Sequence, residues 1–214
     1  MKDVNIILIG VVMSNYLSLV SNRFSCKKYD KKDVSKKEID YILESGRMSP
    51  SSFGLETWDF HVVKSKEKHD ELKKILSSQA SVQSSNFTII ITGPIKDLEP
   101  SSEYIKTRGL RFPSLIEDYI EDFRPYYEYL SANNLLIPWV KSQGYIAITN
   151  MMNAACELGI QSCCIEGFNN DEILNFLALD NTKAVVSIIA TFGYPDEKVR
   201  EKIRMPLEDI TKYY

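Results

Sequence analysis

Four short segments carry side chains fit for binding chemistry. In NRFSCKKYD (22–30), Arg23, Ser25 and Lys27 alternate, so an extended backbone projects all three to one side. A guanidinium, a hydroxyl and an ammonium on one face suit a phosphate or the polar edge of a ring. They equally suit a solvated basic turn after a helix. In EKIRMP (201–206), Lys202 and Arg204 repeat the alternation. Alone this is a charged tail; paired with the first segment, it suggests an anion held from both ends of the chain. In CIEGF (164–168), Gly167 follows Glu166 between a strand-like run and a helix cap. Glycine there lets a ligand approach the backbone, although an ordinary turn with a solvated Glu166 has the same composition. In SPSSFGLETW (49–58), Pro50, Ser51, Ser52 and Gly54 precede Trp58. Small hydroxyls and a flexible backbone serve a loop lying against a polar ligand, or a plain turn.

Other chemistries are excluded. The nine glycines, at 10, 46, 54, 93, 109, 144, 159, 167 and 193, are too widely spaced for G-x-G-x-x-G, G-x-x-x-x-G-K-[ST] or G-x-S-x-G. A bound phosphate must therefore rest on side-chain cations and helix N-termini. The two histidines, His61 and His69, have no Cys or carboxylate at ligand spacing, and Cys26, Cys156, Cys163 and Cys164 form no C-x-x-C pair, so no metal is expected. Reduced thiols point to a cytoplasmic protein, with Cys163 and Cys164 as small buried hydrophobes. A net charge of −3 argues against nucleic-acid or membrane-surface partners.

A chain of 214 residues with 44% apolar and 26% charged residues suits one substantial domain. NIILIGVVM (5–13) is too short to span a bilayer and lacks a cleavage site behind it. Residues 1–12 are expected to be an extension or to precede a natural start at Met13, leaving 13–214 as a single domain.

Helices are expected over 14–22, within 30–48, over 66–77, 114–134, 137–159 and 171–178. Ser35 and Glu38 form a capping box, and Asn169 or Asn170 caps the last helix. The segment 137–159 has the strongest helical periodicity, and Gly159 is its expected stop. WDFHVV (58–63), FTIIIT (87–92), QSCCIEG (161–167) and AVVSIIATF (184–192) read as strands. Residues 94–113, with Pro94, Pro100 and Pro113, are expected to be irregular. The aromatics Tyr119, Phe123, Tyr126, Tyr127 and Tyr129 read as core or interface. Helices and strands mix without strict alternation, which favours α+β.

Taken together the four segments resemble the nitroreductase family of FMN-dependent oxidoreductases. NRFSCKKYD is similar to R-x-S-x-[RK]-x-[FY]-D, SPSSFGLETW to [SA]-P-S-S-x-x-x-x-P-W, SCCIEGF to P-I-E-G-[FY], and KIRMP to K-x-R-x-P, in the family's order from about residue 14 to 208. Four such segments in register are specific. Thr57 and Cys164 depart from the family's prolines.

The resemblance implies a central, mostly antiparallel sheet wrapped by helices in an intertwined homodimer. The helix 137–159 would lie at the dimer centre and the C-terminal tail would extend over the partner. It implies FMN sites at the interface. Arg23, Ser25, Lys202 and Arg204 would take the phosphate and ribityl end. Lys27 would face the pyrimidine edge, and the backbone N–H groups of Glu166 and Gly167 would approach the flavin's N5 and O4. Pro50, Ser51, Ser52 and Gly54 would come from the other subunit. The family often has a pyrimidine-contacting Asn ahead of FTIII; here Ser78, Gln79 or Ser81 would substitute.

The implied reaction passes a hydride from NAD(P)H to the flavin and then electrons to a nitroaromatic or quinone, by a ping-pong mechanism. No protein acid or base is required, and Lys27 and Glu166 are the nearest candidates for a catalytic contact. Phe53 and the aromatics of 119–129 would wall the acceptor channel. A non-catalytic FMN store or sensor is the alternative. Flavin fragmentation or dehalogenation would need an added lid that 94–135 does not obviously supply.

Overall fold

The computed structural model describes residues 15–214, so the expectations for residues 1–12 and for Met13 lie outside the described residues. Four strands, β1 (Asp59–Val63), β2 (Phe87–Pro94), β3 (Gln161–Ile165) and β4 (Ala184–Gly193), form one sheet in the order β1-β2-β4-β3. Every neighbouring pair is antiparallel. β2 and β4 are the near-continuous apolar runs, and they sit in the centre where both faces are covered.

The strand alternation sorts their side chains into two cores. Ile89, Ile91, Ile188 and Ala190 face a helix layer through Ala147, Ile148 and Met151. Ile90, Val186 and Ile189 face the opposite layer through Leu72, Ile173 and Leu174. Val186 and Ile188, two apart, point to opposite faces because the register slips between Ile91 and Thr92. A bulge of this kind reverses the side from which later residues project.

The first layer is α2 (Lys36–Arg47) against α7 (Leu136–Glu157). Ser35 and Glu38 close the expected capping box at the start of α2. α7 ends in a Schellman motif: Gly159 takes φ 74°, its N–H bonds the Cys156 carbonyl at 3.0 Å, and the Ile160 N–H bonds Ala155 at 2.9 Å. Gly144 seats α7 on the sheet at the bulge; a Cβ there would lie 2.5 Å from Ser187 Cβ. The second layer comprises α3 (Lys66–Ile75), α4 (Ala80–Ser84) and α8 (Asn170–Phe176). Asn169 caps α8, its side chain accepting from the N–H groups of Asp171 and Glu172.

Residues 94–113 are not irregular as expected. They hold a 3₁₀ turn at Lys96–Leu98 and the helix α5 (Glu103–Gly109), capped by Ser102, and α6 (Ile116–Ala132) follows. Pro94 ends β2, Pro100 precedes the Ser102 cap and Pro113 precedes α6, so the prolines mark element ends. This excursion has its own core, in which Leu98, Ile105, Phe123 and Trp139 pack together. α1 (Asn15–Asn22) and α9 (Leu207–Ile210) complete the chain. Among the described residues no helix is long and apolar enough to cross a membrane. All four cysteines are free.

Candidate functional site

The segment after α1 adds to the edge of the sheet. The Phe24 N–H bonds Gln161 Oε1 at 3.1 Å, Ser25 bridges Ser162 in parallel, and the Cys26 N–H bonds the Ser162 carbonyl at 3.1 Å. The chain leaving β4 folds back along it. The Asp30 N–H bonds the Tyr194 carbonyl and the Asp196 N–H bonds the Lys28 carbonyl, both at 2.9 Å. Glu197 accepts from the backbone N–H groups of Lys27 and Lys28. Arg200 Nη2 then donates to the Ser25 carbonyl at 2.7 Å, and Lys202 Nζ donates to the Val20 carbonyl. Two segments far apart in sequence thus lie side by side.

Between them is an open cavity of about 270 Å³ whose lining includes Arg23, Ser25, Arg200, Lys202 and Arg204, with Glu201 as its one acid. Arg23, Lys202 and Arg204 also border a neighbouring hollow of about 380 Å³ with Tyr16, Thr149 and Asn153 of α1 and α7. Burial and then the Arg23 and Arg204 charges press the Lys202 ammonium below its ordinary pKa. Like charges gathered with so little compensation form a site that an anion would relieve.

The structure therefore brings Arg23, Ser25, Lys202 and Arg204 together. Arg200 belongs with them and was not singled out from the sequence, although it extends the alternation of Lys202 and Arg204 by one step.

Lys27 stands beside the same sheet edge. Its ammonium donates to Cys163 Sγ at 2.9 Å, on the strand that carries Glu166 and Gly167 beyond its end. Cys26, next in line, is buried; desolvation chiefly pushes its thiol up to about 12. Glu166 is exposed and accepts from Tyr145 Oη at 2.7 Å. Burial first, and this bond second, push the Tyr145 phenol up to about 12. Gly167 is exposed, and its carbonyl accepts from Gln79 Nε2 at 3.4 Å. Of the three residues considered for the missing Asn, Gln79 thus reaches this turn. Ser81 is buried and Ser78 is exposed.

Pro50, Ser51, Ser52 and Gly54 lie elsewhere. The Ser52 N–H bonds Gln143 Oε1 at 2.9 Å, and Asn150 Nδ2 donates to Ser49 Oγ at 2.7 Å, so this loop rests on α7 between Gln143 and Asn150. Ser51 Oγ accepts from the Glu56 N–H at 2.9 Å. The larger of the two cationic hollows borders α7 at Thr149 and Asn153, and Cys156 Sγ donates to the Leu19 carbonyl. Pro50, Ser51, Ser52 and Gly54 do not line either cationic hollow. Among the described residues no group of three or more His, Cys, Asp or Glu is placed to hold a metal ion.

A family model described as "Nitroreductase family" matches residues 20–107 and 122–194. A Bacillus subtilis protein, YfkO, named as a candidate NAD(P)H nitroreductase, is 34% identical over 206 residues, covering 89% of this chain and 93% of that protein. A Staphylococcus haemolyticus protein with the same kind of name is 33% identical over 205 residues, at 89% and 93% coverage. Among solved structures, a nitroreductase-like protein of Streptococcus mutans superposes with a TM-score of 0.82 at 18% identity, covering 94% of this chain and 99% of that one. A candidate nitroreductase of Exiguobacterium sibiricum, solved in complex with FMN, gives 0.80 at 22% identity, with 93% and 97% coverage. These likenesses confirm the α+β fold that the four sequence segments imply. By a family match spanning most of its length, and by relatives a third identical along nearly all of it, this chain belongs to the nitroreductase family.

Proposed function

We propose that the protein is an FMN-dependent NAD(P)H oxidoreductase that works as a homodimer on small oxidised acceptors. The observation that carries this reading is the cavity in which Arg23, Lys202 and Arg204 meet. Its donor set fits the cofactor: guanidinium and ammonium groups for a phosphate dianion, and the Ser25 hydroxyl beside them for a polyol chain. The relatives named for NAD(P)H nitroreduction support the donor. FMN, when bound, supplies the centre that takes a hydride from NAD(P)H and passes electrons to the acceptor.

The chain's own residues bind and orient. Arg23, Arg204 and Lys202 hold the phosphate, with Arg200 fixing the Ser25 backbone beside them. Lys27, close to the strand end that carries Glu166 and Gly167, is the cation available to the polar edge of the ring. The backbone of Glu166 and Gly167 offers N–H donors on that side, with Gln79 behind Gly167. Pro50, Ser51, Ser52 and Gly54 complete the site from a second copy; within one chain they line neither cationic hollow.

The homodimer is supported by what one chain leaves exposed. Tyr145 and Ile146 project from α7, Tyr16 and Leu17 from α1, and Ile203, Met205, Leu207 and Ile210 from the tail. A tail this apolar needs a partner to cover it. A shared binding face would admit NAD(P)H and a nitroaromatic or quinone in turn, giving a ping-pong cycle. Phe53, with Tyr126 against it at 5.6 Å between centroids, would meet a flat acceptor, with the other aromatics of 119–129 behind.

Purification followed by a visible spectrum and an assay of NAD(P)H consumption with a quinone and a nitroaromatic tests this. A yellow protein with steady turnover is expected. A protein that binds FMN without turnover would instead be a store or sensor, and one that cannot be reconstituted with FMN would reject both.

A further inference from the structure

The loop between α2 and β1 is held in a conformation that its residues disfavour. Phe53, Gly54 and Glu56 take φ of 55°, 61° and 48°. Only glycine enters this region freely, and a side chain with a Cβ stays there only where the surroundings hold it. The surroundings here come from the α5–α6 excursion. Tyr119 Oη donates to the Phe53 carbonyl at 2.9 Å, and Arg111 Nη2 to Gly54 at 2.7 Å. Arg108 Nε donates to Leu55 at 2.8 Å, and Tyr104 Oη to Glu56 at 3.2 Å. Four consecutive carbonyls each receive a donor from the same excursion. Arg111 Nη1 also pairs with Glu56 Oε1 at 2.6 Å. Phe112 covers Gly54, where a Cβ would lie 2.4 Å from its ring tip. Merely turning the chain from a helix into a strand requires neither two strained residues nor four side-chain donors.

We propose that Tyr104, Arg108, Arg111 and Tyr119 are positioning residues. Through the carbonyls of 53–56 they fix the loop that carries Pro50, Ser51 and Ser52, while the Phe53 ring packs on Phe123 and Tyr126 at 5.3 and 5.6 Å between centroids. The excursion is then a splint for the half-site that this chain presents to its partner. This rests on the reading above that Pro50–Ser52 meet FMN. Donors spread over α5, α6 and the turn between them hold the loop although Ser51 and Ser52 are only half-buried.

The test compares wild type with Tyr119→Phe, Arg111→Lys and the double variant. Tyr119→Phe keeps the ring stacked on Phe112, at 5.6 Å between centroids, and removes only the hydroxyl. Arg111→Lys keeps the charge and removes the fork. Amide hydrogen exchange at residues 51–58 of the cofactor-free protein, with β4 as the folding control, reads the splint directly. FMN affinity by fluorescence titration reads its consequence. In the double variant we expect exchange at 51–58 to quicken about tenfold with β4 unchanged, and FMN affinity to fall about tenfold, in line with the loss of one part-buried and one exposed hydrogen bond to the loop. Unchanged exchange at 51–58 would overturn the splint. Faster exchange with unchanged FMN affinity would overturn its positioning role. A wild-type chain that takes up no FMN would overturn the function proposed above and this role with it, whatever the exchange shows.

Discussion

Arg23 and Arg204 line one cavity because the tail leaving β4 doubles back across the strand-like segment that follows α1. The two cations are far apart in sequence and share no element. Their meeting depends on a ladder of backbone bonds between 28–30 and 194–196, locked by Arg200 on the Ser25 carbonyl.

Arg204→Ala should therefore weaken FMN retention without unfolding the chain. The Arg204 side chain is exposed, and its one hydrogen bond among the described residues, from Nη1 to the Ile203 carbonyl at 2.7 Å, is local. A charge-assisted bond to phosphate is worth about 1.5–3 kcal/mol, so affinity should fall by roughly 10- to 100-fold. Fluorescence titration checks this, and unchanged affinity would remove Arg204 from the site.

How much of this was legible beforehand depends on the range of the signal. The Ser35–Glu38 box, the Asn169 cap and the Gly159 stop are local chemistry within four residues, and each appears where the sequence places it. α5 was hidden because three prolines within twenty residues resemble an irregular stretch, whereas they sit at element ends. Gln79 could not be chosen over Ser78 or Ser81, because α4 is a five-residue helix with no readable period and only tertiary packing aims the side chain. Arg200 stands outside the K-x-R-x-P segment, and only the folding-back of the tail brings it to the cavity with Lys202 and Arg204. The left-handed Phe53 and Glu56 carry no sequence signal, since their conformation is imposed by Tyr119, Arg111 and Tyr104 from another part of the chain.

Stability should fall in acid through Glu38. Its carboxylate accepts from Ser35 Oγ and from Tyr194 Oη, both at 2.6 Å. The Ser35 hydroxyl first, and the Tyr194 phenol second, hold its pKa down at about 2, against 4.5 ordinarily. A depressed carboxyl contributes stability that is complete above pH 4.5 and is lost as the pH falls towards 2. Ser35→Ala should cost about 1 kcal/mol at pH 7, as N-cap losses do, and less at pH 2. Chemical denaturation at the two pH values measures the difference.

Gly144→Val should loosen α7 from the sheet. The added carbons have nowhere to go against Ser187 Cβ and the buried Ile91. Overpacking of this kind costs about 1–3 kcal/mol, read as a lower denaturation midpoint. A midpoint equal to wild type would show that α7 sits farther from β4 than described.

Deleting residues 206–214 should shift the protein towards monomer. The deletion removes Leu207 and Ile210, which are about 70% exposed in one chain, together with Tyr213 and Tyr214. Sedimentation velocity at micromolar concentration distinguishes the species, and an unchanged dimer would mean that this end of the tail covers nothing on a partner.

The most direct measurement is the stoichiometric titration of wild-type chain with FMN beside Arg23→Gln/Arg204→Gln. The wild type should bind one FMN per chain, and the double variant at least about 100-fold more weakly. Wild-type protein that binds no FMN, or a double variant that binds as tightly as wild type, would contradict the account.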